Sequence, residues 1–276
     1  MKLIESKVEI IEQQPGLEGV YKQVELAGRT CYLSSDKITE DSSKEFTERM
    51  VNSKHLAMCE HATIYLSVPA EDTEVVQFYG INPYSRVSSD LVNGGEKCNW
   101  LITSNLRVLI EHNRMRDIKY LCKPTKRHTK RITVKFICDR AVAQEITRHR
   151  AMSFAMESQR YVGYDKERFG GEITFIKPHW YNEEFPACLT WIESLKESEK
   201  KYLELREAGL KPQDARGVLP NATKTEIVVT GFESDWEHFF NLRADGTTGA
   251  PHPDIKKLAL ELREKLNNVN TDNKTE

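Results

Sequence analysis

Ile4, Ser6, Val8 and Ile10 alternate with Glu5, Lys7 and Glu9, the period of a half-exposed strand. Gln14-Pro15-Gly16 breaks it, and Leu17, Val20, Val24 and Ala27 then take helical spacing up to an expected stop at Gly28. Ser42 with Glu45 forms a candidate capping box, ahead of a helix that would bury Phe46 and Met50. A strand is expected over residues 63–68 and a helix around Leu106, Leu109 and Ile110. Val134, Phe136 and Cys138 alternate with Thr133, Lys135 and Ile137, so another strand precedes Asp139, a good N-cap. Ala141, Val142 and Ile146 give the following helix a packed side. Phe169-Gly170-Gly171 and Pro178 punctuate a strand over 173–176. Cys188, Ile192, Leu195, Tyr202 and Leu205 mark a long amphipathic helix, with Gly209 as its stop and Pro212 in the first turn of the next. A strand over 225–230 leads to a second candidate capping box, Ser234 with Glu237, and to a helix running through Arg243. Pro253, Ile255, Leu258, Leu262 and Leu266 predict a last helix, and residues 267–276 a polar, frayed tail. Interleaved strands and helices of this kind predict an α/β chain.

Composition narrows the class. The 276 residues carry 40 Lys plus Arg against 42 Asp plus Glu, a balance that argues against a surface built as a whole for nucleic acid. Six cysteines lie at 31, 59, 98, 122, 138 and 188 without any Cys-x-x-Cys pair, so no metal site is expected from them. There is no apolar run long enough to span a membrane, and Met1 is followed at once by charged residues rather than by a signal sequence. Free thiols in a reducing cytoplasm are the expectation. No internal repeat is visible, and no Gly-x-Gly-x-x-Gly follows an expected strand, so a Rossmann dinucleotide site is not supported.

Candidate chemistry concentrates in residues 148–161. Arg148, His149 and Arg150 stand in a row, and Ser158, Gln159, Arg160 and Tyr161 follow after seven residues. Cations are tolerable at a helix C-terminus. Adding Arg160, with Glu157 as the single acid between, asks for further negative charge, and phosphate is the usual guest of an arginine fork. Glu145 lies one turn before Arg148 and close to its face.

This spaced pattern resembles the signature of the flavin-dependent thymidylate synthases. Three further stretches agree in order: Glu60-His61 before a strand, Ala215-Arg216-Gly217-Val218-Leu219-Pro220, and Asn241-Leu242-Arg243. The resemblance covers about residues 20–265. It leaves out a stretch of about 69–130 that is longer than in compact members and that ends in a basic run from Lys119 to Arg131.

The resemblance implies a single domain with a mixed, largely antiparallel sheet flanked by helices, the thymidylate synthase-complementing-protein-like fold. It also implies a homotetramer with sites between subunits. The implied reaction converts dUMP to dTMP, with one carbon from 5,10-methylenetetrahydrofolate, hydride from reduced FAD and NADPH as the reductant. By the same resemblance Glu145, Arg148, Glu157, Ser158, Gln159, Arg160, Arg216 and Arg243 would bind dUMP, with Arg243 the catalytic residue and Arg216 reaching across from a neighbouring subunit. His61, Thr63, Arg148, His149, Arg150, Met156, Ser234 and His238 would contact FAD. Ser158 has no convincing activating base nearby in sequence and reads as a binding residue. No cysteine lies in the signature, which points to a mechanism without an enzyme nucleophile.

The chain departs from the family in three places. Glu145 stands where glutamine is frequent, Met156 where a polar and commonly acidic residue is usual, and the segment 247–252 differs from shorter relatives. Read without the resemblance, His61 is a histidine bonded to a neighbour at a strand start, His238 a satisfied buried ring, and Arg216 a surface arginine paired to Asp214 or Glu207. The basic run is a solvated face, or else a surface for a folate polyglutamate tail or RNA. A flavin enzyme acting on another nucleotide or on RNA uracil, and a non-enzymatic RNA-binding module, are the rival functions.

Overall fold

The computed structural model describes residues 1–89, 99–167 and 171–272, with side chains to residue 268. Gly94-Gly95, Cys98 and Phe169-Gly170 lie outside the described residues.

The centre is a four-stranded antiparallel sheet ordered β2-β6-β9-β7, from β2 (Lys7–Ile11), β6 (Arg131–Asp139), β7 (Ser153–Met156) and β9 (Lys224–Phe232). Its register sets Val134 against Val229 and Phe136 against Ile227. These residues share one face with Val8 and Cys138. That face is buried under α5 (Arg140–Ile146), α8 (Glu233–Arg243) and α9 (Pro253–Asp272). The opposite face is partly polar, with Thr133 opposite Thr230 and Lys135 opposite Val228. The helix α1 (Gly16–Tyr32) covers it, packing Ala27 on Ala155 and Val228.

A second antiparallel sheet, ordered β3-β5-β4, joins β3 (Thr63–Pro69) to β5 (Asn99–Asn105) and β4 (Arg86–Ser89). Two of its three strands come from the 69–130 stretch, which also contributes α3 (Thr73–Ile81) and α4 (Leu106–Glu111). With Val20 and Val24 of α1 and Phe46 and Met50 of α2 (Ser42–Asn52), this sheet closes over its own apolar core. A parallel pair, β1 (Lys2–Ile4) with β8 (Thr174–Ile176), lies beside a third core. That core is built with α6 (Pro186–Glu207) and α7 (Pro212–Ala215). The expected mixed, largely antiparallel α/β class is what the chain adopts, with the parallel pairing confined to β1 and β8.

Several local expectations are corrected. The first alternating run is two strands in two sheets, because Glu5 and Ser6 interrupt the pairing. Helix α1 runs past Gly28 and ends where Leu33 takes a left-handed conformation, φ 44°. Gly28 is a packing glycine, since a Cβ there would lie 2.5 Å from the Phe46 ring. Neither expected capping box forms as drawn. Ser42 Oγ instead accepts from the Thr39 N–H at 2.9 Å and donates to Glu25 at 2.8 Å. Helix α8 begins one residue before Ser234, and the Asp235 carboxylate accepts the Phe232 N–H at 2.8 Å. The last helix continues through the expected tail as far as Asp272.

Candidate active site

Asp139 caps α5 as expected, its carboxylate accepting the Val142 N–H at 2.7 Å. The short helix then turns Glu145 and His149 toward the end of α8. There the Arg243 guanidinium uses three donors at once. Nη1 reaches Glu145 Oε2 at 2.6 Å, Nη2 reaches the Glu145 carbonyl at 3.0 Å, and Nε reaches His149 Nε2 at 3.2 Å. The sequence sets Glu145 one turn before Arg148 and close to its face. The structure pairs Glu145 with Arg243, while Arg148 and Arg150 remain exposed. His149 is buried between Phe239, at 5.0 Å between ring centroids, and His238, at 5.8 Å. Burial and then the Arg243 charge push its pKa down to about 4, so it is neutral at pH 7 and accepts from Arg243.

Strand β7 carries the chain away from this corner along β9. Glu157 turns inward, only 1% exposed, where it accepts from Tyr164 Oη at 2.8 Å and pairs with Lys224 at 3.2 Å. Lys224 also meets Glu226 at 2.6 Å, and Lys135 pairs with the other oxygen of Glu226 at 2.5 Å. The acid expected to offset the signature arginines is therefore matched by Lys224, at the start of β9. Ser158 donates its N–H to the Cys31 carbonyl at 2.9 Å, and its hydroxyl accepts the Arg160 N–H at 3.3 Å. Arg160 is exposed, 5.5 Å above the Tyr161 ring, and Gln159 is buried.

The third component lies where the two antiparallel sheets meet. His61 is fully buried, its Nδ1 2.9 Å from Thr230 Oγ1, and desolvation together with the nearby Arg131 charge lowers its pKa to about 3. Arg131, at the start of β6, donates to the Glu60 carbonyl at 3.0 Å and to Thr63 Oγ1 at 3.4 Å, and its buried Nε has no partner. Burial brings its pKa down to about 10, still cationic at pH 7. It lines a cleft of about 460 Å³ with Arg86, Arg107 and Arg150, opposed by Glu60, Glu111 and Asp235. The cleft thus holds an excess of one positive charge. Arg107 spans Glu60 and Glu111, and the same Arg107–Glu111 pair forms one wall of an adjoining cavity of about 510 Å³. Met156, Ser158, Tyr161 and Tyr32 line that second space.

The model of the thymidylate synthase complementing protein family matches residues 127–270, from the end of the basic run into α9. The chain belongs to this family. Among its relatives, a flavin-dependent thymidylate synthase of Pyrococcus furiosus is 35% identical over 106 residues, 38% of this chain and 43% of that protein. One from Mycobacterium bovis is 37% identical over 138 residues, 46% of this chain and 53% of that protein. The chain thus spans about half the length of the curated relatives it matches. A crystal structure of the UMP/dUMP methylase PolB from Streptomyces cacaoi covers 96% of this chain at 15% identity, with a TM-score of 0.46.

Within this family member, the structure brings Glu145, His149, His238 and Arg243 into one cluster. It sets Arg150 in the first cleft and Met156 and Ser158 in the second cavity. Thr63 is buried behind the first cleft through Arg131. Ser234 is exposed at the start of α8, next to the cleft residue Asp235. Arg216 stands exposed on a short 3-10 turn, Arg216–Val218, without an ion pair to Asp214 or Glu207 and outside both cavities. Arg86, Arg107 and Arg131 were not singled out from the sequence as site residues. Arg86 and Arg107 lie in the 69–130 stretch and Arg131 closes the basic run, and only the fold turns them to a common space.

Proposed function

We propose that this protein is a flavin-dependent thymidylate synthase that converts dUMP to dTMP by reductive methylation. The observation that carries the reading is the Arg243 guanidinium, fixed by Glu145 and by His149, whose chain neighbour Arg150 lines the arginine-rich first cleft. The one-carbon unit would come from 5,10-methylenetetrahydrofolate, and NADPH would be the reductant. Reduced FAD, when bound, supplies the hydride.

The donor set suits FAD. A pyrophosphate calls for guanidinium groups, and the cleft offers Arg86, Arg107, Arg131 and Arg150, with a buried Arg131 Nε lacking any partner. The two cavities share Arg107 and Glu111, which gives a dinucleotide and a nucleotide neighbouring space. We assign Arg148, His149, Arg150, Thr63, Ser234 and His238 to the flavin side, and Met156, which lines the second cavity beside Ser158, to the boundary between flavin and nucleotide. His61 supports that side from behind, since it is wholly buried.

On the nucleotide side, Arg148, Ser158, Arg160 and a neighbouring subunit's copy of Arg216 would hold phosphate and ring edge. Glu157 and Gln159, both buried, would shape the wall. Uracil C5 is a poor nucleophile. A fixed cation at N3 or O2 favours the N3 anion and raises electron density at C5, and Arg243 is the residue held for this. His149 is neutral at pH 7 and so adds no competing charge beside it. Ser158 has its hydroxyl on a backbone N–H and no histidine as partner, so it binds rather than attacks.

The homotetramer is what the family resemblance implies, and an Arg216 exposed outside both cavities is compatible with a site shared between chains. A cytoplasmic setting accords with the free thiols of Cys31, Cys59, Cys122, Cys138 and Cys188. Among the described residues no helix is long and apolar enough to cross a membrane. The test is tritium release from 5-labelled dUMP in the presence of FAD, NADPH and methylenetetrahydrofolate. We expect label in water together with dTMP. A yellow, flavin-loaded protein that binds dUMP and releases no tritium would overturn the assignment.

A further inference from the structure

Outside both cavities, two segments converge on a second cluster. His179 follows β8, His252 immediately precedes α9, and Asp254 lies in its first turn. One Asp254 oxygen lies 3.3 Å from His179 Nδ1, and the other lies 3.6 Å from His252 Nδ1. One donor atom from each residue can be chosen so that all three lie within 4.8 Å of one another. The imidazole rings stand edge to face, 5.5 Å apart. Both histidines are open to solvent, at 39% and 53%, while Asp254 is largely covered at 12%.

We propose that His179, His252 and Asp254 form a surface site for a divalent transition-metal ion of the zinc class. Four ligands held about 2.0–2.1 Å from a tetrahedral centre sit roughly 3.3–3.5 Å from each other. The His179 Nδ1–Asp254 Oδ1 separation of 3.3 Å already falls at that value, whereas His252 Nδ1 lies 3.6 Å from the other carboxylate oxygen, so the exposed His252 ring has to swing inward. Two imidazoles and one carboxylate select zinc, cobalt or nickel over magnesium and calcium, which prefer oxygen ligands. Water would complete the shell from the open side.

The charge balance favours an ion. Among the described residues Asp254 makes no ion pair with lysine or arginine, and the His179 and His252 rings are its ion-pairing neighbours there. Asp139, the N-cap of α5, lies close enough to interact electrostatically with both Asp254 and His252. A dication would relieve that pair of carboxylates. It would also tie the exit of β8 to the start of α9. Of two present contacts, one would have to adjust. The His179 N–H donates to Asp254 Oδ1 at 2.7 Å, which leaves that oxygen a lone pair, whereas the Asp254 N–H donates to His252 Nδ1 at 3.3 Å. His252 would therefore ligate through Nε2 or give up this long bond. The α9 N-terminus disfavours a cation, so binding should be micromolar rather than structural in strength.

The experiment uses the untagged full chain, stripped with EDTA and dialysed. Calorimetric titration with zinc chloride should give one ion per chain, and cobalt(II) should give visible bands of a nitrogen- and oxygen-ligated centre. His252→Ala, a change at an exposed ring, should weaken zinc binding at least roughly tenfold. The double change His179→Ala with His252→Ala should abolish the cobalt spectrum, and Asp254→Asn checks the same site if the double variant fails to fold. Zinc binding of undiminished affinity in His252→Ala, or magnesium binding as tightly as zinc, would overturn the proposal.

Discussion

Arg243 owes its fixed direction to three acceptors, two of them on Glu145 and one on His149. A lysine has the charge but cannot make that fork. Arg243→Lys should therefore lower kcat for dTMP formation by roughly 100- to 1000-fold, the scale of losing one preorganised electrostatic donor. Steady-state kinetics with an unchanged circular dichroism spectrum would check this. Ser158→Ala should keep measurable turnover, and complete inactivity at saturating substrate would restore a nucleophilic role for that hydroxyl.

The two buried histidines set a further expectation. His149 and His61 have folded-state pKa values of about 4 and about 3, below the ordinary value near 6.5 for the unfolded chain. Between those limits the unfolded chain binds more protons, so stability is full above about pH 6.5 and is lost as pH falls toward 4 and below. Urea midpoints should drop from pH 7 to pH 4.5. His61→Gln should shrink that drop, and an unchanged drop would show that this ring carries none of it.

At the scale of elements, much of the chain was legible because short-range patterns governed it. The alternation of Val134, Phe136 and Cys138 and the Asp139 cap were read from neighbours in sequence, and both survive because the same face is buried as a unit. Gly28 misled because a helix stop and a close helix contact use the same residue. Deciding between them needs Phe46, which arrives on another helix. The partner of Glu145 was not legible for a related reason: it is Arg243 on α8, far along the chain. Long-range pairing of charges leaves no periodic trace.

Two substitutions test these readings. Gly28→Ala should destabilise the fold by about 1–3 kcal/mol, as overpacking does, because the Phe46 ring is only 3% exposed and has little room to yield. Lys224→Met removes the cation shared by Glu157 and Glu226 and leaves a buried carboxylate short of charge. About 3–5 kcal/mol should be lost, read from urea denaturation.

At the scale of the whole molecule, the arginines of the first cleft come from both antiparallel sheets and from the segments beside them, Arg86 from β4, Arg131 from β6, Arg107 from α4 and Arg150 from the turn before β7. Arg86 and Arg107 belong to the 69–130 stretch, and Arg131 and Arg150 to the family-matched part. The long stretch is thus half of the cleft wall and the larger part of a sheet. Gel filtration should give four chains per particle, and an active monomer would remove the shared-site reading of Arg216.

Each antiparallel sheet also closes over its own apolar cluster, with α1 and the His61–Thr230 bond crossing between them. Clusters sealed separately can open separately, so slow amide exchange should sort into two protected groups with different opening free energies. A molecule lodged between the sheets would touch both groups at once and act as a rivet. Its arrival should merge the two exchange regimes into one, even at amides that it never contacts.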